Sequence, residues 1–223
     1  MNEFQPFIGK RIMVEVSGKR PLPGKLIDIG PDILVLVHQQ RFLYIPIAHV
    51  HNLKADLLSD EDIGQTDDLL VQPQIEQISV PRMLREAKGI FVEIQVSGNK
   101  PLRGYLIGIM TDYIVIHSPV YKSIYVSLRH MKWLIPYPPS YVPYSLSADP
   151  LPAQHASLAL SKTFETQCKK EEGKMVVLDL GEQHEKIGLI KRVSSGIMDF
   201  LDADGNSNLL NIEHLKTMYT PSK

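Results

Sequence analysis

Apolar and polar residues alternate over runs of five or six positions, broken by Gly, Pro, Asn and Asp, and this pattern predicts short half-buried strands. "RIMVEV" (residues 11–16) makes the first strand, and "SGK" then turns the chain tightly. "PGKLIDI" follows, with Gly24 where a strand must bend or admit a neighbouring backbone. "ILVLV" is apolar throughout, as in a strand covered on both faces. "RFLYIP" stops at Pro46, which has no amide hydrogen to give a ladder. "IAHV" predicts one helical turn and "HNL" a short closing strand. Five strands with a turn between the fourth and fifth predict a small SH3-like or Sm-like barrel, whose closure hides the strand edges.

This outline recurs in the chain. From Gly89, "GIFVEIQVSGNKPLRGYLIGIMTDYIVIH" places Gly104 on Gly24 and Asp112 on Asp32; one inserted residue later Tyr125 falls on Tyr44, His130 on His49 and Leu134 on Leu53. A fainter third copy sets Gly173 opposite Gly9, Gly188 opposite Gly24 and His214 opposite His49. The expected fold is mainly β, with three tandem five-stranded Sm-like/SH3-like barrels and a short helix before the third. The divisions are residues 1–54 for the first barrel, 55–86 for an acidic linker, 87–135 for the second barrel, 136–155 for a Pro/Tyr-rich linker, and 156–223 for the helix with the third barrel. "PRMLREA" in the first linker carries a second short helix signal. Leu160, Phe164 and Cys168, spaced by four, predict an amphipathic helix that makes Cys168 a core residue.

The start "MNEFQPFIGKRI" lacks a basic region followed by an apolar core, and no run of about 18 apolar residues occurs, so neither a signal peptide nor a membrane span is expected. The chain is expected to be made and kept inside a cell. A single cysteine supports neither a disulfide nor a zinc ribbon.

Candidate chemistry is sparse. His49 and His51 stand two apart like metal ligands, but His51 has no counterpart in the other copies, and no carboxylate or cysteine recurs beside them. His49, His130 and His214 are expected to fill the turn after the fourth strand and bond to neighbouring backbone. Gly24, Asp32, Tyr44, Gly104, Asp112, Tyr125 and Gly188 are likewise expected to be fold determinants. No nucleophile, phosphate-loop or metalloprotease motif occurs, and "DADGNSN" reads as a hairpin turn rather than a calcium loop. No enzymatic activity, cofactor, metal or small-molecule substrate is therefore expected.

Charge brings in one alternative. Residues 7–54 hold seven Lys and Arg against three Asp and Glu, and residues 88–135 six against two. Residues 55–86 hold two against eight, and residues 169–218 seven against nine, which cancels the excess. Lys10, Arg11, Lys19, Arg20, Lys25, Lys100 and Arg103 are the residues that would touch phosphates in an RNA-binding Sm-like protein. Near-neutrality of the whole chain favours a solvated face balanced by the acidic linker.

The frame "GKLIDIGPDILVLV…FLYIPIAHVHNL", in three tandem copies with the acidic "DLLSDEDIGQTDDLL" linker, resembles the spore coat protein B family of endospore-forming bacilli and related Sm-like domain proteins. The resemblance implies a non-enzymatic protein, synthesised in the mother-cell cytoplasm and then placed in the spore coat. Its partners would be other coat proteins or further copies of itself, and no membrane. Exposed fourth and fifth strands suit association by strand addition. The first two copies, being most alike, are expected to form one basic unit, with the third docked on it or swinging on the proline-rich segment.

Overall fold

The computed structural model describes residues 3–17, 21–55, 77–96, 101–145 and 159–221. Lys19, Arg20 and Lys100, most of the acidic linker and much of the Pro/Tyr-rich linker lie outside them. The described residues are mainly β, with fifteen antiparallel strands and two α-helices.

The first copy contains β1 (Arg11–Val16), β2 (Leu22–Ile29), β3 (Ile33–His38), β4 (Arg41–Pro46) and β5 (Val50–Ala55). Its strand order is β4-β3-β2-β1-β5. "RIMVEV" is the first strand as expected, and its burial alternates: Ile12, Val14 and Val16 are buried and the residues between them half-buried. α1 (Val80–Ala87) follows, on the predicted "PRMLREA" segment. The second copy supplies β6 (Phe91–Gln95), β7 (Leu102–Ile109), β8 (Tyr113–Ser118), β9 (Lys122–Ser127) and β10 (Trp133–Pro136). α2 (Phe164–Lys170) precedes β11 (Met175–Leu178), β12 (Ile187–Ser194), β13 (Ile197–Asp202), β14 (Ser207–Asn211) and β15 (Thr217–Tyr219). The third copy repeats the order of the first, β14-β13-β12-β11-β15. "DADGNSN" is its β13–β14 hairpin, with Gly205 at φ +82°.

The faint third copy shares backbone detail with the other two. Gly9, Gly89 and Gly173 all adopt positive φ, and their amides donate to Leu26, Leu106 and Ile190 at 2.8, 2.7 and 2.8 Å. The second strand of each copy then bulges at the equivalent place, between Leu26 and Asp28, Leu106 and Gly108, and Ile190 and Arg192. Gly24, Gly104 and Gly188 lie against the carbonyl oxygen of the third strand, so close that a Cβ would sit 2.9, 2.5 and 2.1 Å from it.

Two features depart from the expectation. Among the described residues no ladder joins β4 to β5 or β14 to β15, which stand at opposite ends of their own runs of five strands, so hydrogen bonding does not close these copies into barrels. The chain also divides differently. One compact unit is Met1–Glu86 with Lys132–Pro136, and the other is Ala87–Met131 with Tyr137–Lys223. The second and third copies thus share a unit, and the fifth strand of the second copy belongs with the first. The physical reason is burial. Tyr113, Val115 and Tyr125 of the second copy form one core with Phe164, Cys168, Phe200 and Met218 of the third, and Ile135 of β10 is buried with Ile12, Leu36 and Leu43 of the first.

α2 is set by its ends. The Thr163 hydroxyl accepts from the Thr166 amide at 3.3 Å while the Thr166 hydroxyl accepts from the Thr163 amide at 3.0 Å, with Glu165 in the first turn and Lys169 and Lys170 in the last. Leu160 lies before the helix rather than on it, packed against the same core. Cys168 is fully buried, and desolvation pushes its thiol pKa up. A thiol-specific reagent is therefore expected to leave the native chain unmodified over hours and to label it within minutes in denaturant. Fast labelling without denaturant would place α2 off the core.

Candidate functional site

The recurrent feature outside the single copies is the junction between a fourth strand and the fifth strand of the next copy. β9 pairs with β15, setting Val126 opposite Thr217, Tyr125 opposite Met218 and Ile124 opposite Tyr219. The Ser127 amide extends this ladder by donating to the Lys216 carbonyl at 3.0 Å. β4 pairs in the same way with β10, Tyr44 opposite Leu134. Tyr44 and Tyr125 are equivalent positions, as are Leu134 and Met218, so one register serves both junctions. The centre of each is an aromatic ring against an aliphatic side chain that is completely buried.

Side chains around β9 and β15 reinforce the ladder. Arg129 reaches Glu213 with both terminal nitrogens, at 3.1 and 3.3 Å; both groups are well exposed, so the pair sets orientation more than it adds stability. Asp179, a buried carboxylate, accepts from the Lys216 amide at 2.7 Å and fixes the entry to β15. Tyr121 and Tyr219 lie with ring centroids 5.4 Å apart at the far end of the ladder.

The histidine of the second copy bonds to backbone of the third. His130 lies in the 3-10 turn Leu128–His130, and its Nε2 meets the Glu213 carbonyl of the third copy at 2.7 Å. Burial pushes its pKa down, with the Glu213 hydrogen bond a smaller opposing effect, so the ring is neutral and Nε2–H donates. A base whose folded pKa lies below its unfolded one binds fewer protons when folded. Its stabilising contribution is therefore present above about pH 6.5 and is lost as pH falls below that value. Cooling of the melting transition on going from about pH 7.5 to about pH 5.5 is expected to be larger in the native chain than in His130→Gln. Equal shifts in the two would remove His130 from the junction. His49 is half-buried in the equivalent turn, Ile47–His49, and His51 bonds Ser17 Oγ at 2.8 Å. His214 is exposed.

Asp32 and Asp112 join each copy to the helix that introduces the next. The Asp32 carboxylate accepts from the Val80 amide at the start of α1 at 2.9 Å, and the Asp112 carboxylate from the Phe164 amide at the start of α2 at 2.8 Å. Their main-chain carbonyls hold the turn after the fourth strand, accepting from Ile47 and Leu128 at 2.9 Å in both cases. In the third copy the carbonyl accepting from Ile212 at 2.8 Å belongs to Gly196, so no carboxylate stands there. Tyr113 completes the α2 contact by donating to the Ser161 carbonyl at 2.7 Å, and desolvation raises its pKa to about 12. Desolvation likewise raises that of Tyr125 to about 12, so both rings stay neutral at every physiological pH.

The candidate phosphate ligands are only partly gathered. Arg11 and Lys25 are cross-strand partners in β1 and β2, with Lys10 next to them in sequence. Arg103 is opposite Glu93 and its Nε is 2.7 Å from the Glu93 carboxylate, which also accepts from the Tyr137 hydroxyl at 3.0 Å. A groove of about 560 Å³ borders Arg103, Tyr121, Tyr144, Leu180 and Glu182, so the arginine facing it is already committed to a buried acid.

Residues that sequence reasoning passed over are Ser127, Arg129, Glu213, Met218 and Leu209. Leu209 aligns with Tyr44 and Tyr125 but is 75% exposed. Aligning the third copy through Ile47, Leu128 and Ile212, each of which follows a fourth strand, is the signal that would have found it.

Residues 163–218, from the cap of α2 into β15, match the family model described as YwrJ third domain. Across 225 residues, 99% of this chain and 100% of the relative, the sequence is 35% identical to an uncharacterized protein, YwrJ, of Bacillus subtilis (strain 168). Neither match is to the spore coat protein B family.

Proposed function

The chain belongs to the YwrJ family, and from that premise we propose that it is a non-enzymatic structural or interaction protein of the spore coat or of the sporulating cell. Its three copies are Sm-like modules that assemble through the edges of their fourth and fifth strands. One observation carries this reading: the same cross-copy pairing, Tyr44 with Leu134 and Tyr125 with Met218, is made twice in one chain. A contact built mainly of backbone hydrogen bonds, with a small apolar centre, joins modules without needing a reactive site. The Bacillus origin of the relative agrees with the sporulation setting that the resemblance to the spore coat protein B family implies. Partners are other coat proteins or further copies of the chain, and the place of action is the mother cell and then the coat.

RNA binding through the basic faces is the second reading, supported by the cross-strand pair Arg11 and Lys25. A tagged chain followed through growth and sporulation separates the two. Appearance only after sporulation begins, in the mother cell, with recovery in the coat fraction, is the expected result. Steady expression in growing cells, together with RNA binding that weakens steeply with salt, would replace the coat reading.

A further inference from the structure

Two of the three fourth-strand edges carry the fifth strand of a following copy, and the remaining one carries no strand among the described residues. Among the described residues, β14 has β13 on one side and no strand on the other, and β5 has β1 on one side and no strand on the other. β14 holds Leu209 where the occupied edges hold Tyr44 and Tyr125. β5 holds Leu53 where the inserted strands hold Leu134 and Met218. Proteins blunt free edges with lysine, proline or a bulge. β14 reads "SNLLN", with no charge and no proline, and its ladder with β13 runs unbroken from Ile197 opposite Asn211 to Leu201 opposite Ser207. It is an edge left fit for pairing, with its most exposed apolar side chain at the centre.

We infer that β14 takes β5 of a second copy of this chain, antiparallel, in the register of the β9–β15 ladder. Leu209 then stands opposite Leu53, Leu210 opposite Asn52 and Asn208 opposite Lys54, and the Asn211 amide donates to the His51 carbonyl as that of Ser127 does to Lys216. His214, exposed in one chain, takes the place of His130 and donates to the Ala48 carbonyl of the second molecule. Charge favours this partner: the third copy carries two more acidic than basic residues and the first four more basic than acidic. The missing carboxylate at Gly196 is consistent too, because Gly9 is preceded by a 3-10 turn, Gln5–Phe7, rather than an α-helix whose end needs a cap. The two surfaces differ, so the contact is head-to-tail, and it either closes on itself or grows.

The inference rests on the reading of the chain as an interaction protein that works through its strand edges. Leu209→Cys and Leu53→Cys chains, mixed in equal amounts under mild oxidation, are expected to give the mixed disulfide in clear excess over either self-pair, since directly opposed residues lie within disulfide reach. Cys168 is buried and stays out of the reaction. Sedimentation of the unmodified chain is expected to give a mass above the 25.2 kDa of one chain, and Leu209→Lys to return it to that mass with an unchanged melting temperature. A native chain that stays at 25.2 kDa at every soluble concentration overturns the inference, as does an excess of self-pairs. If that monomeric chain is still recovered from the coat in a larger particle, the proposed function stands without self-assembly. If it instead binds RNA in growing cells, both fall.

Discussion

Replacing Phe164 by Ala is expected to destabilise the unit holding the second and third copies by about 3–5 kcal/mol, the usual cost of removing a buried phenylalanine. Phe164 is 3% exposed, its ring centroid is 6.0 Å from that of Tyr113, and it belongs to the core formed by both copies. Its amide is also the donor held by Asp112, so the side chain and the backbone at one position serve the same junction. Leu209→Ala is the matched control. That side chain is three-quarters exposed, and its loss is expected to change the stability of the isolated chain by less than about 0.5 kcal/mol. Chemical denaturation of both variants checks the pair, and a small loss in Phe164→Ala would mean that the two copies do not share a core.

A larger effect is expected from Gly188→Val. The new Cβ would sit 2.1 Å from the Leu201 carbonyl oxygen and 2.9 Å from the Phe200 ring, at the pair of Gly188 with Asp202 that begins the β12–β13 ladder. Neither atom is the free end of a flexible side chain, so the strands must part. The expected cost is above about 4 kcal/mol, enough to leave the third copy unfolded. At Gly24 the corresponding distance is 2.9 Å, so Gly24→Ala is expected to be milder than Gly188→Ala. The reverse order, measured by thermal melting, would contradict the close approach at Gly188.

Strand positions were legible in the sequence because short apolar-rich runs are cut by turn residues, and Gly24, Gly104 and Gly188 mark the places where backbones crowd. The second helix was legible from the spacing of Phe164 and Cys168, and the first from the "PRMLREA" segment. What escaped was the choice of partner. A fourth strand satisfies its outer edge with backbone groups that every residue carries, so periodicity shows that an edge exists but not which strand covers it. The grouping of the copies followed the same limit. Similarity between the first two suggested one unit, whereas Tyr113, Tyr125 and Phe164 place the second copy's core with the third. Arg103 looked free to meet a phosphate because Glu93, ten positions earlier, becomes its neighbour only once the β6–β7 register is known.

Amide hydrogen exchange at Ser127 and Asn211, compared in dilute solution where single chains prevail, tests the fourth-to-fifth strand junction most directly. These are equivalent positions, and in one of them the amide donates to a following copy at 3.0 Å while the other lies on an edge that pairs with no strand among the described residues. The Ser127 amide is predicted to exchange at least about a hundredfold more slowly than that of Asn211. Equal rates at the two positions would contradict the junction, and with it the account of how the copies are joined.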